Sequence, residues 1–163
     1  MKRWKKILLV LLAIFVLIQF FRQKKNLSAQ TGPNDITRIY PVPGDVKTIL
    51  NKACNDCHSN NTKYPWYAEI QPVAWWLNDH IEEGKHELNY SEFASYRPRK
   101  QYRRMEQTIE LVKEGEMPLS SYTLIHTDAK LNDDEKKALF DWANAIMDTM
   151  KTQYPVDSLL RKK

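Results

Sequence analysis

Fifteen consecutive positions, Ile7 to Phe21, are apolar except for Gln19, and basic residues stand on both sides of the run. As a helix they span about 22 Å, short of the roughly 30 Å hydrocarbon core of a bilayer. Trp4 and the long basic side chains extend that reach by snorkelling. Residues 1–25 are therefore expected to be an uncleaved N-terminal signal anchor. The alternative is a secretory signal cut at Ser28-Ala29, the small-residue pair beyond the basic cluster Arg22-Gln23-Lys24-Lys25. Residues 26–44 hold three of the eight prolines and two of the four glycines without helical or strand periodicity, and read as a linker.

Helical spacing begins after it. Val46, Ile49, Leu50, Ala53 and Cys57 recur at intervals of three and four, with Asp45 placed to cap the helix. Between Ser59 and Pro72 a polar and aromatic run carries too many breakers for a long element. Val73 to Ile81 reads as a helix ending near Gly84, and a polar stretch through Pro98 precedes another helix around Lys100 to Glu114. Met117-Pro118 opens a second irregular stretch, since proline disfavours helix at the preceding residue. The closing helix is the clearest: Asn132 or Asp133 caps it, Asp133, Asp134 and Glu135 suit its positive end, and Ala138, Leu139, Trp142, Ala143, Ile146, Met147 and Met150 form one stripe. No alternating strand pattern is present. The expected fold is all-α, with a folded domain over 45–152 and a tail over 153–163.

Charge changes the picture in one respect. The chain has 25 Lys and Arg against 20 Asp and Glu, but the first 30 residues contain seven of the basic residues and no acid, leaving 18 basic against 20 acidic beyond them. The basic excess flanks one apolar run and is no sign of a nucleic-acid partner. The partner implied is the membrane, through residues 7–21. Two cysteines, and no others, exclude a multi-disulfide scaffold and a four-cysteine zinc site.

Those cysteines lie in Cys54-Asn55-Asp56-Cys57-His58. In C-x-x-C-H both thiols can bond to the two vinyl groups of one haem while the adjacent histidine reaches the iron from the same side. A thioredoxin-like redox pair needs a βαβ context that the helical pattern lacks. A zinc site from Cys54, Cys57, His80 and His86 has permissible spacing but leaves His58 without a role. Cys54 and Cys57 are thus the expected thioether links to one covalent haem c, and His58 the expected proximal ligand.

The order of parts resembles a class I c-type cytochrome: a helix delivering C-x-x-C-H, loops and helices, a Met-Pro segment, and a closing amphipathic helix containing a tryptophan. The middle, Tyr64-Pro65-Trp66-Tyr67 through Pro72-Val73-Ala74-Trp75-Trp76 and on to Leu88-Asn89-Tyr90-Ser91-Glu92-Phe93, is more specifically similar to the small bacterial haem-binding domain family, over roughly Asp45 to Ala143. The resemblance implies a cytochrome c-like helical domain around one haem, loaded outside the cytoplasmic membrane, so that a single-pass anchor leaves it in the periplasm. Met117, in Gly115-Glu116-Met117-Pro118 and 59 positions after His58, is the expected distal ligand, with His126 as its competitor and an open site as the third possibility.

The function expected is one-electron transfer with unidentified redox partner proteins and no enzymatic chemistry. The alternatives are a haem-based sensor or small-molecule-reactive five-coordinate haem, and a structural module of an envelope complex. Trp66, Trp75 and Trp76 read as core or cofactor packing. Arg97, Arg99, Lys100, Arg103 and Arg104 read as a solvated helix start, with docking of an acidic redox partner or pairing with haem propionates as the alternatives, and His80 and His86 read as exposed.

Overall fold

The computed structural model describes residues 2–28 and 30–160, so Ala29 of the candidate cleavage site and the last three residues of the tail lie outside the described residues. All elements are helical: α1 (Arg3–Ile18), α2 (Gly44–Ala53), α3 (Asn55–His58), α4 (Val73–Glu87), α5 (Pro98–Glu114), α6 (Ser120–Ile125), α7 (Asp133–Gln153) and α8 (Val156–Leu159), joined by 3-10 turns. No strand occurs among the described residues, so the all-α expectation holds.

The core is built on α7. Its stripe of Leu139, Trp142, Ala143, Ile146, Met147 and Met150 is buried against α5 and α2, to which α5 contributes Met105 and Val112 and α2 contributes Val46, Ile49 and Leu50. The first turn of α7 carries the expected cap as a reciprocal pair: the Asn132 side chain accepts from Glu135 N–H at 2.9 Å and the Glu135 carboxylate accepts from Asn132 N–H at 3.0 Å. At the start of α2 the cap expected from Asp45 is absent. Pro43 is the flanking residue, and the Asp45 carboxylate instead accepts from Val46 N–H.

Three expected boundaries move because tertiary packing overrides local signals. The stretch read as a linker sends Ile36 and Tyr40 into the core, 2 % and 8 % exposed. It is fixed there by Tyr40 Oη donating to Gln101 and Trp142 Nε1 donating to Pro41 O. Helix α4 runs through Gly84 to Glu87 rather than stopping at the glycine. In the tail, α8 packs on α5 and buries Leu159.

Helix α1 is the reverse case, an apolar helix of 16 residues that buries none of them. No helix among the described residues is long and apolar enough to cross a membrane; at 1.5 Å per residue α1 is about 24 Å long. Its C-terminal end touches the domain. Gln19 and Gln71 exchange hydrogen bonds of 3.1 and 2.9 Å, Trp75 Nε1 donates to Phe21 O, and Arg22 and Lys25 both pair with Glu69.

Candidate functional site

The C-x-x-C-H segment is folded as a helix, a break and one further turn. Cys54 leaves helical geometry at φ −127° and ends α2, and its carbonyl accepts from both Cys57 N–H and His58 N–H, which winds α3. Cys54, Cys57 and His58 all line one cavity of about 340 Å³, within the range of small-molecule sites. Burial pushes the Cys54 thiol up to about 12 and the Cys57 thiol up to about 11, with the neighbouring Asp56 charge adding to the second. Both are therefore thiols at neutral pH, which removes the thiolate that thioredoxin-type exchange requires.

His58 is oriented by α4. Its Nδ1 lies 2.8 Å from Leu88 O and 3.0 Å from Gly84 O. Carbonyl oxygens only accept, so Nδ1 carries the proton and Nε2 keeps its lone pair for a metal. Burial lowers the pKa of the imidazole, with the two carbonyl contacts opposing, so the ring favours the neutral form that a ligand needs. The close approach depends on Gly84: a Cβ there would meet Cys57 O at 2.7 Å and Cys57 Cβ at 3.1 Å. This explains why α4 carries a glycine inside it.

The opposite wall comes from the segment after α5. Gly115, at φ +78°, ends that helix in the left-handed region glycine favours. Glu116 N–H and Met117 N–H then both donate to Leu111 O, a tight turn that brings Met117 onto the cavity lining with Pro118, Leu119 and Tyr122. His126 does not line the cavity. Its Nε2 lies 2.7 Å from Tyr67 Oη and its ring stacks on Tyr122 at 4.3 Å. The structure thus brings Cys54, Cys57, His58 and Met117 to one cavity and leaves His126 behind Tyr122.

Tyr122 and Arg104 complete the wall. Tyr122 Oη donates to Asp56 at 2.8 Å, tying α6 to α3 across the cavity, and burial followed by that carboxylate raises the pKa of the phenol. Arg104 lines the cavity rather than standing in solvent as expected, its side chain 18 % exposed. The other sequence expectations divide. Trp66 and Trp76 are 77 % and 48 % exposed and contribute neither to core nor to cavity, contrary to the packing expected of them. His86 is exposed as expected, whereas His80 lies on the cavity lining. No three His, Cys, Asp or Glu side chains cluster to hold a metal ion among the described residues, and His86 is not on the lining that Cys54, Cys57 and His80 share.

This set of residues suits a haem. Two thiols and a tautomer-fixed imidazole stand together, a thioether shares their cavity, and most of the lining is apolar. The buried Arg104 Nε has no hydrogen-bond partner, an orphan donor of the kind a ligand acceptor relieves.

No curated protein and no solved structure matches the chain. The haem-binding domain family does match, over residues 13–145, from within α1 to within α7. Since that span takes in most of the sequence together with the whole cavity, the chain belongs to the haem-binding domain family and haem is its cofactor.

Proposed function

We propose that this chain is a one-electron carrier in which a single haem is bonded to Cys54 and Cys57 and ligated by His58 and Met117. The observation that carries the reading is the convergence of these four side chains on one cavity, with His58 Nε2 left free by its Nδ1 contacts. Cys54 and Cys57 would hold the haem by thioethers, a net addition of each S–H to one vinyl group that would consume no oxidant. The haem supplies the ferrous–ferric change of one electron. His58 would present a neutral nitrogen held in one orientation, and Met117 a soft uncharged sulfur that would favour the reduced iron over small-molecule ligands. Tyr122, bonded to Asp56, braces the Met117 side. No acid–base pair is required, so the chain has no enzymatic role in this reading.

Helix α1 is the proposed tether, placing the haem domain at the periplasmic face of the inner membrane within reach of redox partner proteins. From Ile7 onward it is apolar, no part of the protein buries it, and Lys2, Arg3, Lys5 and Lys6 stand at its start while Arg22, Lys24 and Lys25 follow it. The protein is expected in the membrane pellet after alkaline washing, with residues 1–29 present in its intact mass. A soluble form beginning at Gln30 refutes the tether.

Visible spectra of the protein from a cytochrome-maturing host test the carrier. A low-spin spectrum in both oxidation states, unchanged by carbon monoxide, is expected. Ready carbon monoxide binding to the reduced protein assigns the site to a five-coordinate sensor or reactive haem instead.

A further inference from the structure

Among the described residues, Arg104 is the only Lys or Arg lining the cavity, where the carboxylates of Asp56, Glu83 and Glu87 also stand. Its guanidinium is held through Nη1, which pairs with Glu87 Oε2 at 2.7 Å and donates to Gln107 Oε1 at 2.7 Å. Nε is shut off from solvent and has no acceptor. A buried guanidinium with an idle edge is costly unless something anionic completes it, and the planar fork of arginine matches a carboxylate. The partner it already has is loosely committed, since the Glu87 side chain is 53 % exposed and returns to water at little cost. A haem held in this cavity would carry two propionate carboxylates, and no other permanent cation among the described residues lines it.

We propose that Arg104 is the carboxylate-binding residue of the site, taking a haem propionate on its guanidinium while Glu87 shares or yields its place. This rests on the haem seating proposed above. Arg104 acts as a positioning residue: it fixes the cofactor's rotation in the cavity and sets a positive charge beside it that disfavours the ferric state. The sequence leaves Arg104 among five basic residues, any of which could pair with a propionate or stand in solvent, and its partial burial separates it from Arg103, which is exposed on the same helix.

The test uses the full-length haem-loaded protein, with the propionate-bending band of the resonance Raman spectrum and the midpoint potential as readouts. In Arg104→Met the band is expected to shift and the potential to fall, seen as a several-fold rise in the ferric-to-ferrous ratio at fixed ambient potential. Arg104→Lys keeps the charge but loses the fork, so the band shifts while most of the potential is retained. Glu87→Gln removes an anion and moves the potential upward, and Arg103→Met changes neither readout. Should Arg104→Met fail to accumulate, Arg104→Lys decides alone. A propionate band identical to wild type in the Arg104 variants that retain haem overturns the proposal. Wild-type protein without covalent haem is a separate result, visible before any variant is made, and refutes the seating itself.

Discussion

His58 leaves α3 with Nδ1 already committed to two carbonyls of α4, whereas Met117 is held through the backbone of a glycine-terminated turn and is only partly buried. The two axial positions should therefore respond differently to substitution. Met117→Ala is expected to fold, keep its haem through both thioethers, and become high-spin, losing the near-infrared sulfur-to-iron band and gaining carbon monoxide binding. His126→Ala is expected to leave the oxidised spectrum unchanged and cost about 1 kcal/mol of stability through its hydrogen bond to Tyr67. If His126→Ala alone creates the high-spin site, histidine is the ligand. For the thioethers, haem should remain on the chain through acid-acetone extraction and denaturing gels, and the double change Cys54→Ala with Cys57→Ala should release it. The motif residues were legible because their chemistry depends on sequence adjacency. Tyr122 and Gly84 were not, because each acquires its role from a neighbour at least 27 positions away, Gly84 from Cys57 and Tyr122 from Asp56, while Arg104 was one of five basic residues that the sequence could not tell apart.

Among the helices, legibility followed the length of uninterrupted pattern. The 21 residues of α7 repeat their apolar stripe through several turns and open on a reciprocal cap, so start, face and identity are all encoded locally. The 3-10 turn Tyr90–Ser95 buries Phe93 completely within six residues, too few for any period to show. Helix α4 misleads for a specific reason: glycine signals a helix end, yet here it serves a close approach to α3. Gly84→Ala separates the two meanings. Alanine raises helix propensity by up to about 1 kcal/mol. The added Cβ would sit 2.7 Å from a backbone oxygen, which no rotamer change relieves, so α4 must move away from α3. Overpacking of this kind costs about 1–3 kcal/mol, and the same movement disturbs the Gly84 carbonyl on His58. A lower denaturation midpoint with an altered axial spectrum is the expected outcome. An unchanged or raised midpoint would show that the two helices are free to adjust. Asn132→Ala, at a cap with no such contact, is expected to cost about 1 kcal/mol and leave the spectrum alone.

At the scale of the whole molecule, the question is where the folded unit begins, and the sequence and the structure give different answers. Composition draws the boundary at 45, because prolines and glycines punctuate 26–44 without a helical period. A short segment with two anchoring side chains has no periodicity to detect, however, and Ile36 and Tyr40 are such anchors. Removing residues 1–25 discards an unburied helix, the Gln19–Gln71 exchange, the Trp75 contact to Phe21 O and two exposed ion pairs on Glu69. Exposed pairs of this kind are worth about 0–1 kcal/mol each. The Asn26 bonds to Ser59 O and Thr62 survive that cut. Removing 1–44 exposes the cavity left by Ile36 and Tyr40, about 1.5–3 kcal/mol for each buried side chain. It also leaves Trp142 Nε1 without the Pro41 carbonyl in the middle of the α7 stripe. Exported behind a separate cleavable signal peptide, protein starting at residue 26 is therefore expected to mature with haem and unfold close to the full-length midpoint. Protein starting at 45 is expected to lose about 3–6 kcal/mol from the two side chains alone, a large share of the 5–15 kcal/mol that stabilises a domain. Denaturant titrations of the two haem-loaded truncations measure the difference. Equal midpoints would return residues 26–44 to the role of a linker.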